Sequence, residues 1–410
     1  MFDPTIHTRT ISRHLRSRDF FDDPSLFVPA NLEAIIEEAV ELGSNGFAHM
    51  TLVRSNLRGK DVFQVRGLPH NLVLRHITSN IRRVTSVKQD DRKFIISCIA
   101  SLVSEGTPFR VYKYDIKSFY ETVHANSILQ ALGSDLAFSP QSVRILRSLF
   151  AELDINAVPG LPRGMAISAT LAEYLLRPFD AHVSNSLGVW YYSRFVDDMI
   201  VITDGTEDVS EFNSLLSGLL PSGLSFNKKS NSYRFTAFEK GAKANEGVFD
   251  FLGYRFAVSR AYRDPAEKKI RRDVVLDIAP SKVRKIKSRY AKSLLTYRHD
   301  GCFDDLHDRI KILTSNFTFV DKDTNIKRTA GIYFNYPLIS ANLPSLSDLD
   351  KFARNVLTSS GPKNKLYPVL SKAERLILLR LSFREGYRTR RFFSFKPKRL
   401  SYLTDCWYYA

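Results

Sequence analysis

The chain has 410 residues, 44% of them hydrophobic, and its 60 Lys and Arg against 43 Asp and Glu leave a net charge of +17. That hydrophobic share supports a real core, and the length suggests two or more packed subdomains. Cations spread along the chain suit tracking of a phosphate backbone better than turnover of a small anionic metabolite. The three cysteines, Cys98, Cys302 and Cys406, show no C-x-x-C or Cys/His spacing, which argues against a zinc site or a disulfide framework. The start, Met1-Phe2-Asp3-Pro4-Thr5, has no apolar signal core and no run approaches a membrane span, so a soluble, cytoplasmic protein is expected.

In chain order, residues 1–40 read as helical, with 31–40 the clearest amphipathic piece. A strand-like stretch at 61–65 leads to Pro69, and 86–100 contains the start of a buried helix. Residues 111–120 read as a hydrophobic strand ending in one carboxylate, Asp115, followed by a turn. The Gly/Pro-rich loop from Gly160 opens into a helix with small residues on its first turns, and its glycines let a ligand approach the backbone closely. Strand formers at 191–195 and 199–203 flank a tight reversal that carries Asp197 and Asp198. A hairpin of this kind pushes two acids out at its tip, within reach of a hard dication. One acid at a strand end and a pair on a hairpin can together hold two Mg²⁺ ions roughly 3.5–4 Å apart, as nucleotidyl transfer needs. A lone Asp-Asp pair is also an ordinary hydrated surface turn, so the segments around it decide the reading.

Downstream, 280–290 reads as a basic helix capped by Ser281, and 371–380 as a further helix of an all-α extension. The segment 388–399 interleaves basic residues with Phe392, Phe393 and Phe395. It suits stacking of single-stranded RNA, and equally a basic packing strand anchored by its rings.

Five segments resemble motifs A to E of the reverse transcriptase family, in register. The family's usual forms are a strand-borne Asp, a G-x-P-Q-G-x-x-x-S loop, Y-x-D-D, an L-N-x-x-K segment and F-L-G. Here they are matched by Asp115, by Gly160-Leu161-Pro162-Arg163-Gly164 running to Ser168, by Phe195-Val196-Asp197-Asp198, by Leu224-Ser225-Phe226-Asn227-Lys228-Lys229, and by Phe251-Leu252-Gly253-Tyr254. The resemblance implies an α+β right-hand polymerase. Residues 1–110 would supply N-terminal helices and fingers, 111–256 a palm of antiparallel sheet and helices with parts of the fingers interleaved, and 257–410 a helical thumb and C-terminal extension.

The roles it implies are specific. Asp115 and Asp197 would bridge two Mg²⁺ ions (Mn²⁺ substituting), with Asp198 alongside and the Ile116 carbonyl helping to hold the nucleotide-bound ion. Tyr120, five residues after Asp115, falls where the family places the ring that excludes a 2′-hydroxyl and so prefers dNTPs; the bland reading is a half-buried palm aromatic. Gly164 would lie under the nascent base pair, and Lys229 would protonate departing pyrophosphate, with Lys228 an open second choice. Arg82, Arg83, Lys88 and Arg92 are candidates to clasp the triphosphate. Phe251, Leu252, Gly253 and Tyr254 would form the primer grip, and Lys282, Arg284, Lys285, Lys287 and Arg289 would grip the duplex. The chain departs from the family at Phe195, where Tyr is usual, and at Arg163, where Gln is usual and a fixed planar charge now stands in the nucleotide site.

No zinc/endonuclease module, RNase H acid set or Val-Thr-Gly retron hallmark is evident. Ser168–Leu175 in the form S-x-x-L-A-E-Y-L, together with R-F-V-D-D, resembles the bacterial abortive-infection and defence-associated reverse transcriptases. That group implies a non-coding RNA template, a DNA product, dNTPs as substrates, and a second reverse transcriptase or another copy of the chain as partner. Two rivals stay open: an RNA-dependent RNA polymerase, which Tyr120 disfavours, and an inactive palm kept as an RNA-binding scaffold, which the intact aspartates disfavour.

Overall fold

The computed structural model describes residues 3–57, 59–87, 90–135, 137–228, 231–239, 247–320, 326–358 and 370–408. The fold is mixed α and β with antiparallel sheets, divided into two compact units: Met1–Asp91 with Phe109–Arg234, and Arg92–Pro108 with Phe235–Ala410.

In the first unit an antiparallel hairpin, β1 (Leu52–Leu57) and β2 (Lys60–Val65), follows the helix Pro29–Asn45. The helix Leu68–Thr85 then leads through the other unit's segment to β3 (Phe109–Asp115), β4 (Val189–Phe195), β5 (Asp198–Thr203) and β6 (Asn231–Phe235). These four strands form one sheet in the order β4-β5-β3-β6. β5 is a near-continuous apolar run buried beyond Asp198, and β3 is buried along almost its whole length, with Arg110 paired to Glu207. Leu72, Val73 and Ile77 of Leu68–Thr85, Leu171 and Leu176 of the helix Ala166–Ser184, and Met199 and Val201 of β5 share one core.

The second unit carries β7 (Gly247–Phe251), β8 (Tyr254–Val258), a short pair β9 (Tyr262–Arg263) and β10 (Ile270–Arg271), and β11 (Val274–Ile278). β8 lies between β11 and β7, and Leu252 (φ +44°) with Gly253 (φ +83°) turns β7 into β8. Both central turn residues lie at positive φ, the two-residue hairpin geometry that twists with its strands. The helix Pro280–Asp300 packs on Phe303–Thr314 and Pro344–Thr358. Its N-cap is Ala279, with Pro280 at the first position; Ser281, expected as the cap, is already inside the helix because proline's fixed φ starts the helix one residue earlier. The region is also not all-helical. β12 (Asn316–Val320) pairs antiparallel with β13 (Lys327–Gly331) and parallel with β14 (Phe392–Phe393). The alternating Asn316-Phe317-Thr318-Phe319-Val320 is a strand pattern too short to stand out among helical neighbours. Among the described residues no helix is long and apolar enough to cross a membrane.

Candidate active site

Strand register brings the acids together. β3 aligns Asp115 with Asp198 of β5, and β4 aligns Phe195 with the same Asp198. Val196 and Asp197 are therefore the two turn residues of the β4–β5 hairpin, and the Ile116 N–H donates to the Asp197 carbonyl at 3.2 Å. Val196 sits at φ +61°, where two-residue hairpins ordinarily use glycine or asparagine. A β-branched residue there is strained by about 1–3 kcal/mol, a cost usually met where geometry is over-determined by its surroundings.

Those surroundings are a buried ion network. Arg194, its side chain 4% exposed, donates to both Glu173 oxygens at 3.0 and 2.7 Å and to both Asp180 oxygens at 2.9 and 2.6 Å. It also donates to the Val196 carbonyl at 3.1 Å, and the Tyr192 hydroxyl donates to Asp180 at 2.6 Å. Glu173 and Asp180 are seven residues apart on Ala166–Ser184, about two turns, and so share a helix face. The hairpin that carries Asp197 is thereby bolted to the helix that follows the Gly160 loop. Burial pushes the Glu173 carboxyl up, against the pull of the Arg194 charge.

Asp115 is held from the other side. The Asn227 N–H donates to its carbonyl at 2.7 Å, the Asn227 Nδ2 donates to its Oδ2 at 3.1 Å, and Lys117 N–H donates to the Ser225 carbonyl at 2.9 Å. Asp197 is half-buried and its carboxyl is held above the ordinary aspartate range. Burial is the main cause; its own backbone hydrogen bond works the other way, the Asp115 charge adds to the rise, and Arg163 and Lys60 oppose it.

Between these acids and the loop lies a second cluster. Arg163 clasps Glu121 through Nε and Nη2 at 2.7 and 2.9 Å, and its guanidinium lies 4.9 Å from the centre of the Tyr120 ring. That ion pair lowers the Glu121 pKa. Tyr120 is half-buried beside Phe119, its hydroxyl pKa raised chiefly by burial. Gly160 (φ +62°) lets the loop lie on Tyr120 and Glu121: an added Cβ would come within 2.3 Å of the Tyr120 carbonyl, and Leu161 N–H donates to that oxygen at 2.7 Å. Gly164 (φ +93°) abuts β2, where a Cβ would meet Val62 Cγ1 at 2.5 Å, and Phe63 N–H donates to the Arg163 carbonyl at 2.7 Å. Its glycine is thus required by strand contact and by the backbone angle.

Several of the remaining expected site residues are held by partners of their own. Arg92 belongs to the second unit, where it donates to the Leu252 carbonyl at 2.8 Å and the Asn335 carbonyl at 2.7 Å and lies over the Tyr254 and Tyr336 rings. It therefore braces the Phe251–Tyr254 turn, a use that its position in the sequence could not reveal. Arg82 donates to Thr170 Oγ1 at 2.9 Å on the helix Ala166–Ser184. Lys88 and Lys229 lie outside the described residues, and exposed Lys228 lines a cavity of about 390 Å³ with Tyr114, Asn213 and Phe226. On Pro280–Asp300, Lys282, Arg284 and Lys285 are exposed, whereas Lys287 is bound to Asp348 at 2.6 Å and Arg289 lies over Trp407 at 5.2 Å.

Sequence reasoning missed Arg194, Glu173, Asp180, Glu121 and Asn227, which orient the acids, and Lys60, an exposed cation whose charge acts on both Glu121 and Asp197. Two signals were present: an arginine three residues before the Asp-Asp pair, and two acids at i and i+7 on the preceding helix.

Among the described residues no group of three His, Cys, Asp or Glu side chains stands ready to hold an ion. Mg²⁺ seldom needs such a cage, because one or two carboxylates, waters and substrate phosphates complete its shell. The donors at the strand ends are hard oxygens, and the half-buried repulsion between Asp115 and Asp197 is what a dication relieves, so the residues fit the ion. No protein-family model matches the chain, and no curated protein matches it either.

Proposed function

We propose that the protein is an RNA-directed DNA polymerase that adds dNTPs by two-metal nucleotidyl transfer. The observation that carries the reading is the register that sets Asp115 beside Asp198 and leaves Asp197 on the adjoining turn. Asp115, Asp197 and Asp198 would hold two Mg²⁺ ions, or Mn²⁺, which supply Lewis acidity at the primer 3′-hydroxyl and the triphosphate. Tyr120 lies at the edge of this site and would exclude the 2′-hydroxyl. Arg163 keeps Tyr120 and Glu121 in position, and its pairing with Glu121 explains how a cation stands where the family carries a neutral Gln. Lys60 joins the candidates for the triphosphate. The turn Phe251–Tyr254 and the exposed Lys282, Arg284 and Lys285 would take the primer-grip and duplex-binding roles. We place the enzyme in bacterial antiphage defence in the cytoplasm, copying a non-coding RNA, with a second reverse transcriptase or another copy of the chain as partner; its resemblance to the defence group supports this.

Primer extension on an RNA template with dNTPs and Mg²⁺ tests the chemistry. Wild-type protein should extend the primer, and Asp115→Asn and Asp197→Asn should each lose at least about 10³-fold, since each removes a ligand of the reacting centre. Extension by either variant at near wild-type rate sinks the assignment. Plaque counts on hosts carrying the native locus, wild type against Asp197→Asn, test the defence role.

A further inference from the structure

We infer that the β13-β12-β14 sheet of the second unit is a docking surface for single-stranded RNA. The surface stands on its own chemistry and holds whether or not the first unit polymerises nucleotides. Register sets Thr318 opposite Thr329, Val320 opposite Lys327, and Phe392 beside Asn316. Side chains alternate across a strand, so these residues share one face and Phe317, Phe319 and Phe393 share the other. The second face is turned to the helix Phe303–Thr314, whose Lys311 ammonium lies 5.2 Å from the Phe393 ring. On the first face Asn316 and Gly331 are buried, whereas Phe392 is 44% and Val320 40% exposed, and Lys327 and Thr329 are exposed as well.

The segment beside that face is strongly basic. Residues 384–399 hold seven Arg and Lys against a single acid, Glu385; Glu385 is paired with Arg388 at 2.9 Å, and Arg399 is taken up by Asp305 and Asp308 of Phe303–Thr314. Arg390 spreads its guanidinium 4.4 Å from the centre of the Tyr333 ring, a flat cationic stack next to the sheet. An exposed ring flanked by cations suits a strand whose bases are free to stack and whose phosphates track the basic rim. A duplex hides its base faces and cannot use Phe392. An acidic protein would meet the charge and leave the ring idle. The paired threonine hydroxyls add donors and acceptors for a 2′-hydroxyl, which favours RNA over DNA.

The test uses the full chain without divalent metal and a short single-stranded RNA containing 4-thiouridine. Photo-crosslinks should map to 316–320, 326–331 or 388–399. Phe392→Ala should weaken binding about 5- to 100-fold, as loss of one stacked base does, and Lys327→Ala should lower the salt slope by about 1. Both side chains are exposed, so neither variant should unfold. Unchanged affinity in both variants, crosslinks confined to other segments, or equal binding of single-stranded DNA or duplex overturns the inference. Extension of a short annealed primer–template separates the two readings. A chain that extends primers while Phe392→Ala binds RNA normally keeps the polymerase and loses the surface. A chain that never extends primers but loses RNA with Phe392→Ala does the reverse.

Discussion

Asp197 is the residue on which the site's electrostatics turn. A carboxyl whose pKa is raised by folding contributes stability that is fully present below its unfolded value, about 3.9, and lost as pH rises through the higher folded value. Ionising the half-buried Asp197 beside Asp115 in the metal-free protein therefore costs stability. Asp197→Asn should raise the Tm of the metal-free protein at pH 7, with the difference shrinking toward pH 4. Equal Tm values at both pH values would show that the repulsion is absent. Metal uptake requires the ionised carboxyl, so the Mg²⁺ concentration needed for half activation should rise as pH falls toward the raised value. Tyr120 carries a separate expectation. Its ring is fixed between Phe119 and the Arg163 guanidinium, so Tyr120→Val should open space without moving the acids. Single-nucleotide incorporation should then use rNTPs more readily relative to dNTPs; unchanged selectivity would make Tyr120 a packing residue only.

At the scale of elements, the hairpin tip is only as firm as the bond between β4 and the helix Ala166–Ser184. Buried Arg194 neutralises two half-buried carboxylates at once, and removing it leaves Glu173 and Asp180 without their shared cation. Arg194→Met should cost about 3–5 kcal/mol in urea unfolding. Arg194→Lys should cost less than Arg194→Met, because it keeps the charge and loses the two-pronged geometry. A loss below about 1 kcal/mol for Arg194→Met would show that packing alone holds the tip. The elements were largely legible in the sequence. Strand runs 111–115 and 199–203 and the Gly160 loop announced themselves through apolar runs and glycines. The side chains that aim the acids did not. Arg194, Glu121 and Asn227 act across 21, 42 and 112 residues of chain, and no local pattern marks such a partner. The partners of Arg92 were hidden for the same reason, since a basic residue near the expected fingers gives no sign that its bonds lie near residues 252 and 335. The short strands β12 and β13 escaped because strand pairing of a few residues is decided by tertiary neighbours rather than by propensity, whereas β14 falls where the second reading of 388–399, a packing strand, put one.

At the scale of the whole molecule, a charge of +17 should make nucleic-acid binding strongly salt-dependent. If six or more phosphates are contacted, affinity should fall by about 10³-fold or more between 50 and 200 mM salt. A shallow dependence would assign most of the affinity to stacking.

The interleaving of the two units has a consequence for how the chain is made. Arg92–Pro108 belongs to the second unit but leaves the ribosome before most of the first. Ile95, Ile96, Ile99 and Val103 of this segment are 0% exposed when folded, yet the strands that complete their unit begin only after residue 235. At ~5–20 residues per second this apolar helix waits on the order of 10 s in the nascent chain without its partners. A cut between residues 234 and 235 likewise frees no clean half, because the N-terminal fragment keeps a helix whose core went with the other piece. The protein is thus two units in space and four segments in time, and the second of these, Arg92–Pro108, is the one a chaperone would have to shelter.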